Sequence, residues 1–120
     1  MITSNVTPSA GATITITALD SQISLSNAPL LPATQFPVGT TRIYFFVEYS
    51  AMTSGMLWRR ELWLNGAVIQ QGSFRWGQSQ AGTTFFYFGE QNGFGPGEYD
   101  IRLYIGDDTA PIATAAFSVQ

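Results

Sequence analysis

The chain contains no cysteine, no histidine and no lysine in its 120 residues. Each absence removes a class of chemistry. Without cysteine there is no disulfide, no thiolate nucleophile and no sulfur-ligated metal site. Without histidine the usual general base and the commonest metal ligand are missing, so Ser-His-Asp and Cys-His arrangements are excluded. Without lysine the only cationic side chains are Arg42, Arg59, Arg60, Arg75 and Arg102. Set against eight acidic residues, these give a net charge of −3. Nucleic acid is therefore not expected as a partner, since phosphate binding needs a basic surface. No apolar run approaches the roughly 20 residues of a membrane-spanning helix, so membrane insertion is not expected either. Met1 to Gly11 is polar and lacks the basic start of a secretory leader.

What remains is rich in β-forming residues. Hydrophobic residues make up 45% of the chain, enough for one globular domain with a respectable core. Apolar residues alternate with period two, and Gly or Pro clusters cut the chain into short segments, with no helix of useful length. Thr13 to Ala18 reads as a half-buried first strand, and Ile23 and Leu25 continue its pattern. Pro29, Pro32 and Pro37 mark an irregular run that crosses between sheets or covers an edge. Thr41 to Ser50 reads as a central strand with Ile43, Phe45, Val47 and Tyr49 on its buried side. Met56 to Leu64 is the next strand, and Asn65-Gly66 is the strongest hairpin signal. Ala67 to Gln71 returns from it, with Phe74 to Trp76 as an extension. Thr83 to Gly89 follows. Residues 1–11 are expected to be a flexible lead-in and residues 12–120 a single sandwich domain.

The end of the chain, GPGEYDIRLYIGDDTAPIATAAFSVQ, is the most informative stretch. A Pro-Gly turn feeds a strand with Tyr99, Ile101, Leu103 and Ile105 on one face and Asp100, Arg102 and Tyr104 on the other. A Gly-Asp-Asp turn and a second alternating strand follow. Tyr99 stands where sandwiches place a tyrosine corner. Ile101, Leu103 and Phe117 are expected in the core, with truncation of Phe117 costing about 3–5 kcal/mol.

The order of a Phe-rich strand, a Trp strand ending in WLNG and the closing PGEYDIRLYIGDD…ATAAFSV hairpin resembles immunoglobulin-like and fibronectin-type-III-like domains, over roughly Thr13 to Val119. It looks most like the accessory sandwiches of secreted or surface proteins of bacteria. The resemblance implies an all-β fold: an antiparallel β-sandwich of seven to eight strands, Ig-like in topology, without a disulfide. The missing cysteine pair excludes a classical antibody-type domain.

A two-residue Asn-Gly loop predicts that Leu64 pairs with Ala67, Trp63 with Val68 and Leu62 with Ile69. Trp58, Arg60, Leu62 and Leu64 then face inward, with Trp58 as the core tryptophan and Arg60 near the rim. Arg59, Glu61 and Trp63 face outward. In Ig-like topology the strand of Asp100, Arg102 and Tyr104 lies alongside, so the two outward faces merge. Trp63, Tyr104, Arg59, Arg102 and Glu61 are the ligand-contact candidates. One reading of this face is a sheet surface laced by Arg–carboxylate pairs. The other is a carbohydrate or protein contact surface, since flat aromatics stack on sugars and Tyr, Trp and Arg dominate binding hot spots.

Other motifs carry less. Asp107-Asp108 is ordinary turn chemistry, and no D-x-D-x-D-G loop accompanies it, so no metal site is expected. Asn5-Val6-Thr7 matches a glycosylation sequon. A carboxylate pair such as Glu48 with Glu61 or Asp100 would serve a glycosidase only across a cleft, and a small sandwich with short loops offers none. No catalytic residue and no cofactor are assigned.

Three functions fit this pattern. The first is a non-catalytic Ig-like module of a larger extracellular or cell-surface protein, a spacer or adhesion surface whose partners are other domains of the same or a neighbouring protein. The second is a carbohydrate-binding module taking a glycan on Trp63, Tyr104 and Trp76. The third is a self-assembling fibre or surface-layer subunit whose N-terminal segment pairs with a neighbour's sheet edge.

Overall fold

The computed structural model describes residues 2–120 and contains eight strands in two sheets. They are β1 (Thr13–Asp20), β2 (Gln35–Phe36), β3 (Arg42–Ser50), β4 (Leu57–Leu64), β5 (Ala67–Arg75), β6 (Gly82–Gly89), β7 (Gly97–Ile105) and β8 (Ala113–Val119). One sheet has the order β1-β3-β6 and the other β2-β8-β7-β4-β5. The chain changes sheet on entering and leaving β2, between β3 and β4, between β5 and β6, and again between β6 and β7. The neighbours β3 and β6, and β4 and β7, are therefore not consecutive, which is the interleaving of an Ig-like Greek-key sandwich. All strand neighbours are antiparallel except the short β2, which runs parallel to β8. It lies in the proline-rich run, carrying the chain from the smaller sheet to the edge of the larger one.

The core forms where the inward alternations of both sheets meet. β3 contributes Ile43, Phe45, Val47 and Tyr49, β7 contributes Tyr99, Ile101, Leu103 and Ile105, and Leu62 and Trp58 come from β4. Trp58 is buried, as the pattern of β4 requires, and Phe117 lies in the same core. Tyr99 closes a tyrosine corner, its hydroxyl donating to the Gly95 carbonyl at 2.8 Å. Asn65 and Gly66 have φ of 49° and 88°, the left-handed pair that a type I′ hairpin needs.

Two expectations require correction. Leu62 pairs with Gln70 rather than Ile69, because a bulge between Leu62 and Trp63 leaves Ile69 as the extra residue. Past the bulge β5 continues to Arg75, as the expected extension requires, with Trp76 just beyond its end. Ile23 and Leu25 do not prolong β1. Ile23 makes an isolated bridge to Pro29, and the Leu25 side chain is fully exposed. The turn from β1 is set instead by Asp20, 1% exposed. Its carboxylate accepts backbone N–H bonds from Gln22 (3.0 Å), Leu30 (2.8 Å) and Leu31 (2.6 Å). A buried carboxylate needs such donors, and here they fold the loop back on the sheet.

The segment before β1 lies against one end of the sandwich. The Ser4 hydroxyl donates to the Gly55 carbonyl, Arg75 Nε donates to the Thr3 carbonyl, and Val6 packs on the core.

Candidate functional site

The outward side chains of β4 and β7 meet in antiparallel register, Arg59 opposite Tyr104, Glu61 opposite Arg102 and Trp63 opposite Asp100. All five ligand-contact candidates therefore share one face of the five-stranded sheet, with Asp100 as a sixth member. Alternation along each strand is what brings them there.

Their side chains form a network that is closed except at Arg59 Nε. The Arg59 guanidinium lies over the Tyr104 ring, 4.4 Å from its centroid, and Nη2 donates to the Asp108 carbonyl at 2.5 Å. Arg59 Nε is buried and makes no hydrogen bond. Glu61 Oε1 accepts from the Tyr104 hydroxyl (2.7 Å) and from the Trp63 indole N–H (3.0 Å). The Arg102 guanidinium stands 3.9 Å from the Trp63 ring centroid, and its Nε donates to Asp100 Oδ2 at 2.7 Å. Each aromatic ring thus carries one arginine, and one carboxylate oxygen ties the two rings together. The hydrogen bond to Asp100 raises the Arg102 pKa. Burial, then the bond to Glu61, raises that of Tyr104. The Arg102–Asp100 pair is about one-third exposed on both sides, so solvent screens it and it adds little to stability.

This arrangement alters the picture of an open aromatic platform. Tyr104 is only 6% exposed, because Arg59 covers the ring that alternation turns outward. Trp63 is partly buried beneath Arg102. Trp76 is 2% exposed and belongs to the core, edge-on to Tyr49 at 4.7 Å, with its indole N–H donating to the Ser79 carbonyl. Glu48 and Glu61 lie on the outer faces of different sheets and do not oppose each other across a cleft. Asp107 and Asp108 sit in the β7–β8 turn, where the Asp108 N–H donates to the Ile105 carbonyl. Among the described residues no three His, Cys, Asp or Glu side chains gather in a way that would hold a metal ion.

One feature escaped the reading of the sequence. On the outer face of the smaller sheet, Tyr44, Phe46, Phe85 and Tyr87 form an aromatic cluster, with Arg42 4.8 Å from the Tyr87 centroid. Its signal was present, since both faces of β3 and of β6 are aromatic. Arg60 stands on the inward face near the rim, as expected. It points inward from β4 at the open side of the sandwich, 4.7 Å from the Phe88 centroid and 5.2 Å from that of Phe74. Burial lowers its pKa.

No protein-family model matches this chain, and no curated protein does. Two of the solved structures that resemble it are of the CARDB domain of the PF1109 protein from Pyrococcus furiosus. The crystal structure, in complex with di-metal ions, has a TM-score of 0.49 and 13% identity, covering 90% of this chain and 91% of that one. The solution NMR structure has a TM-score of 0.43 and 12% identity, covering 90% and 93%. The strand order and the tyrosine corner define the class: this is an Ig-like β-sandwich.

Proposed function

We propose that this chain is a non-catalytic accessory module of a larger exported protein, acting at the cell surface or outside the cell as a spacer that touches neighbouring domains through the outer face of its five-stranded sheet. The observation that carries this reading is the closure of the network on that face. Glu61 is shared between Trp63 and Tyr104, and both rings are capped by arginines at 3.9 and 4.4 Å. A sugar would have to displace these guanidinium groups before stacking, losing contacts that the face already makes. A surface that presents arginine and aromatic residues suits a protein neighbour, whose interfaces favour those residue types. The sparse charge and absence of lysine fit an exported setting.

The test is a glycan-array screen of the chain beside a Trp63→Ala, Tyr104→Ala double variant, with sedimentation over a hundredfold concentration range. The expected result is no glycan signal and a constant monomer mass. Glycan binding that disappears in a still-folded double variant would replace this reading with the carbohydrate module. Higher-order species lost on deleting residues 1–12 would replace it with the self-assembling subunit.

A further inference from the structure

Both sheets end on the same side of the sandwich. β5 closes one sheet and β6 the other, and each has a free edge there. Gln70 bridges the two, its Nε2 donating to the Gly89 carbonyl at 3.0 Å. Beside this bridge run two grooves of about 260 and 320 Å³ that share Arg60 and Phe86. Trp58, Phe74 and Trp76 wall the first, and Tyr87 flanks the second. Together they form an elongated, aromatic channel along the β6 edge.

The channel has one anomaly. Arg60 is set among phenylalanine rings, and no described carboxylate or carbonyl accepts a hydrogen bond from its guanidinium. The one ion pair among the described residues belongs to Arg102 and Asp100. The Arg60 N–H donors carry no protein counter-ion and are open to an incoming carboxylate, which pairs with a guanidinium in a charge-assisted way. Two more of the five arginines stand along this side: Arg75 lines the first groove and Arg42 lies over Tyr87. The charge here is positive on a chain whose net charge is −3.

We infer that the β6 edge and the Arg60 channel form a docking site for an extended segment of a partner protein, which adds as a strand to β6 and places an Asp or Glu, flanked by apolar residues, against Arg60. An exposed strand edge supplies unpaired backbone donors and acceptors, and alternate side chains of an added strand point into the same groove. The channel gives the alternate positions their apolar walls, and Arg60 selects the acid. This site lies apart from the outer face of β4 and β7 and stands whether or not that face makes contacts.

The probe is a phage-displayed library of random eight-residue peptides selected against the full chain. Enriched peptides are then titrated by tryptophan emission, since Trp58 and Trp76 line the groove. The expected result is enrichment of an acid between apolar residues. Affinity should fall at least tenfold in Arg60→Gln, and at least tenfold when the peptide acid is changed to its amide, with no further loss when both are changed. Amide exchange should slow along β6 on binding. The peptide variant keeps the test valid if Arg60→Gln is poorly folded. No enrichment, enrichment without an acid, affinity indifferent to the peptide acid, or protection away from β6 would each overturn the proposal.

Discussion

The rings of Tyr99 and Phe117 lie parallel, 3° between planes and 4.9 Å between centroids, on neighbouring strands at the heart of the larger sheet. Phe36 from β2 meets Phe117 edge-on at 5.8 Å. Phe117 thus joins the closing hairpin to the parallel edge strand. Phe117→Ala is expected to lower stability by about 3–5 kcal/mol, read from the urea midpoint at constant slope.

Tyr99 and Tyr104 both have pKa values raised above the ordinary 10.0, burial being the first cause in each; Glu90 adds to it for Tyr99 and Glu61 for Tyr104. The folded state therefore holds these protons after the unfolded chain has released them. Their effect on stability is constant below pH 10 and turns unfavourable as pH rises past 10. Alkaline denaturation should show this slope. Tyr99→Phe should make it shallower while lowering neutral-pH stability by about 1 kcal/mol, through the lost bond to Gly95.

Asp20 organises the loop between β1 and β2 through its carboxylate. An amide offers one acceptor oxygen and two donors facing donors. Asp20→Asn should cost about 2–3 kcal/mol and speed amide exchange at Gln22, Leu30 and Leu31. Unchanged exchange at those three positions would contradict this role.

Ala51 follows β3 with a φ of 55°. A left-handed conformation costs a non-glycine residue roughly 1–2 kcal/mol, part of which glycine gives back as unfolded-state entropy. Ala51→Gly should raise stability by about 0.5–1 kcal/mol, visible as a higher melting temperature.

Arg102 over Trp63 is a cation–π pair on the outer face. A double-mutant cycle of Arg102→Ala and Trp63→Leu should return a favourable coupling, the Arg102 change costing less once the ring is gone. The single Arg102→Ala change should also shift the Trp63 emission to longer wavelength as its ring meets water.

The alternation in β3, β4 and β7 made the inward faces, the core role of Trp58 and the membership of the outer face readable. So did Asn65-Gly66 and the tyrosine after the Pro-Gly turn, because each of these is a local rule with one geometric answer. The remainder depends on partners distant in the chain. The burial of Tyr104 comes from Arg59, 45 residues earlier on the neighbouring strand, and alternation alone marks that ring as exposed. The bulge at Ile69 has no glycine or proline to announce it. Ile23 and Leu25 alternate as a strand would, but Asp20 Oδ1 accepts the Gln22 N–H, which turns the chain just where the strand would have continued. Arg60 was legible as a residue on the inward face, while the missing counter-ion shows only once both sheets are assembled.

The parallel placement of β2 beside β8 has a mechanical consequence. Residue 13 pairs with Ser50 at one end of the sandwich, and residue 119 pairs with Gly97 at the other. Tension applied between those two points runs lengthwise through β1 and β8. The bonds from Ser118 to Thr34 and from Gln120 to Phe36 then lie across the load, in parallel with the rungs between β7 and β8. Rungs arranged this way yield together rather than one after another, so the module resists being pulled apart along its length more than being peeled from its side.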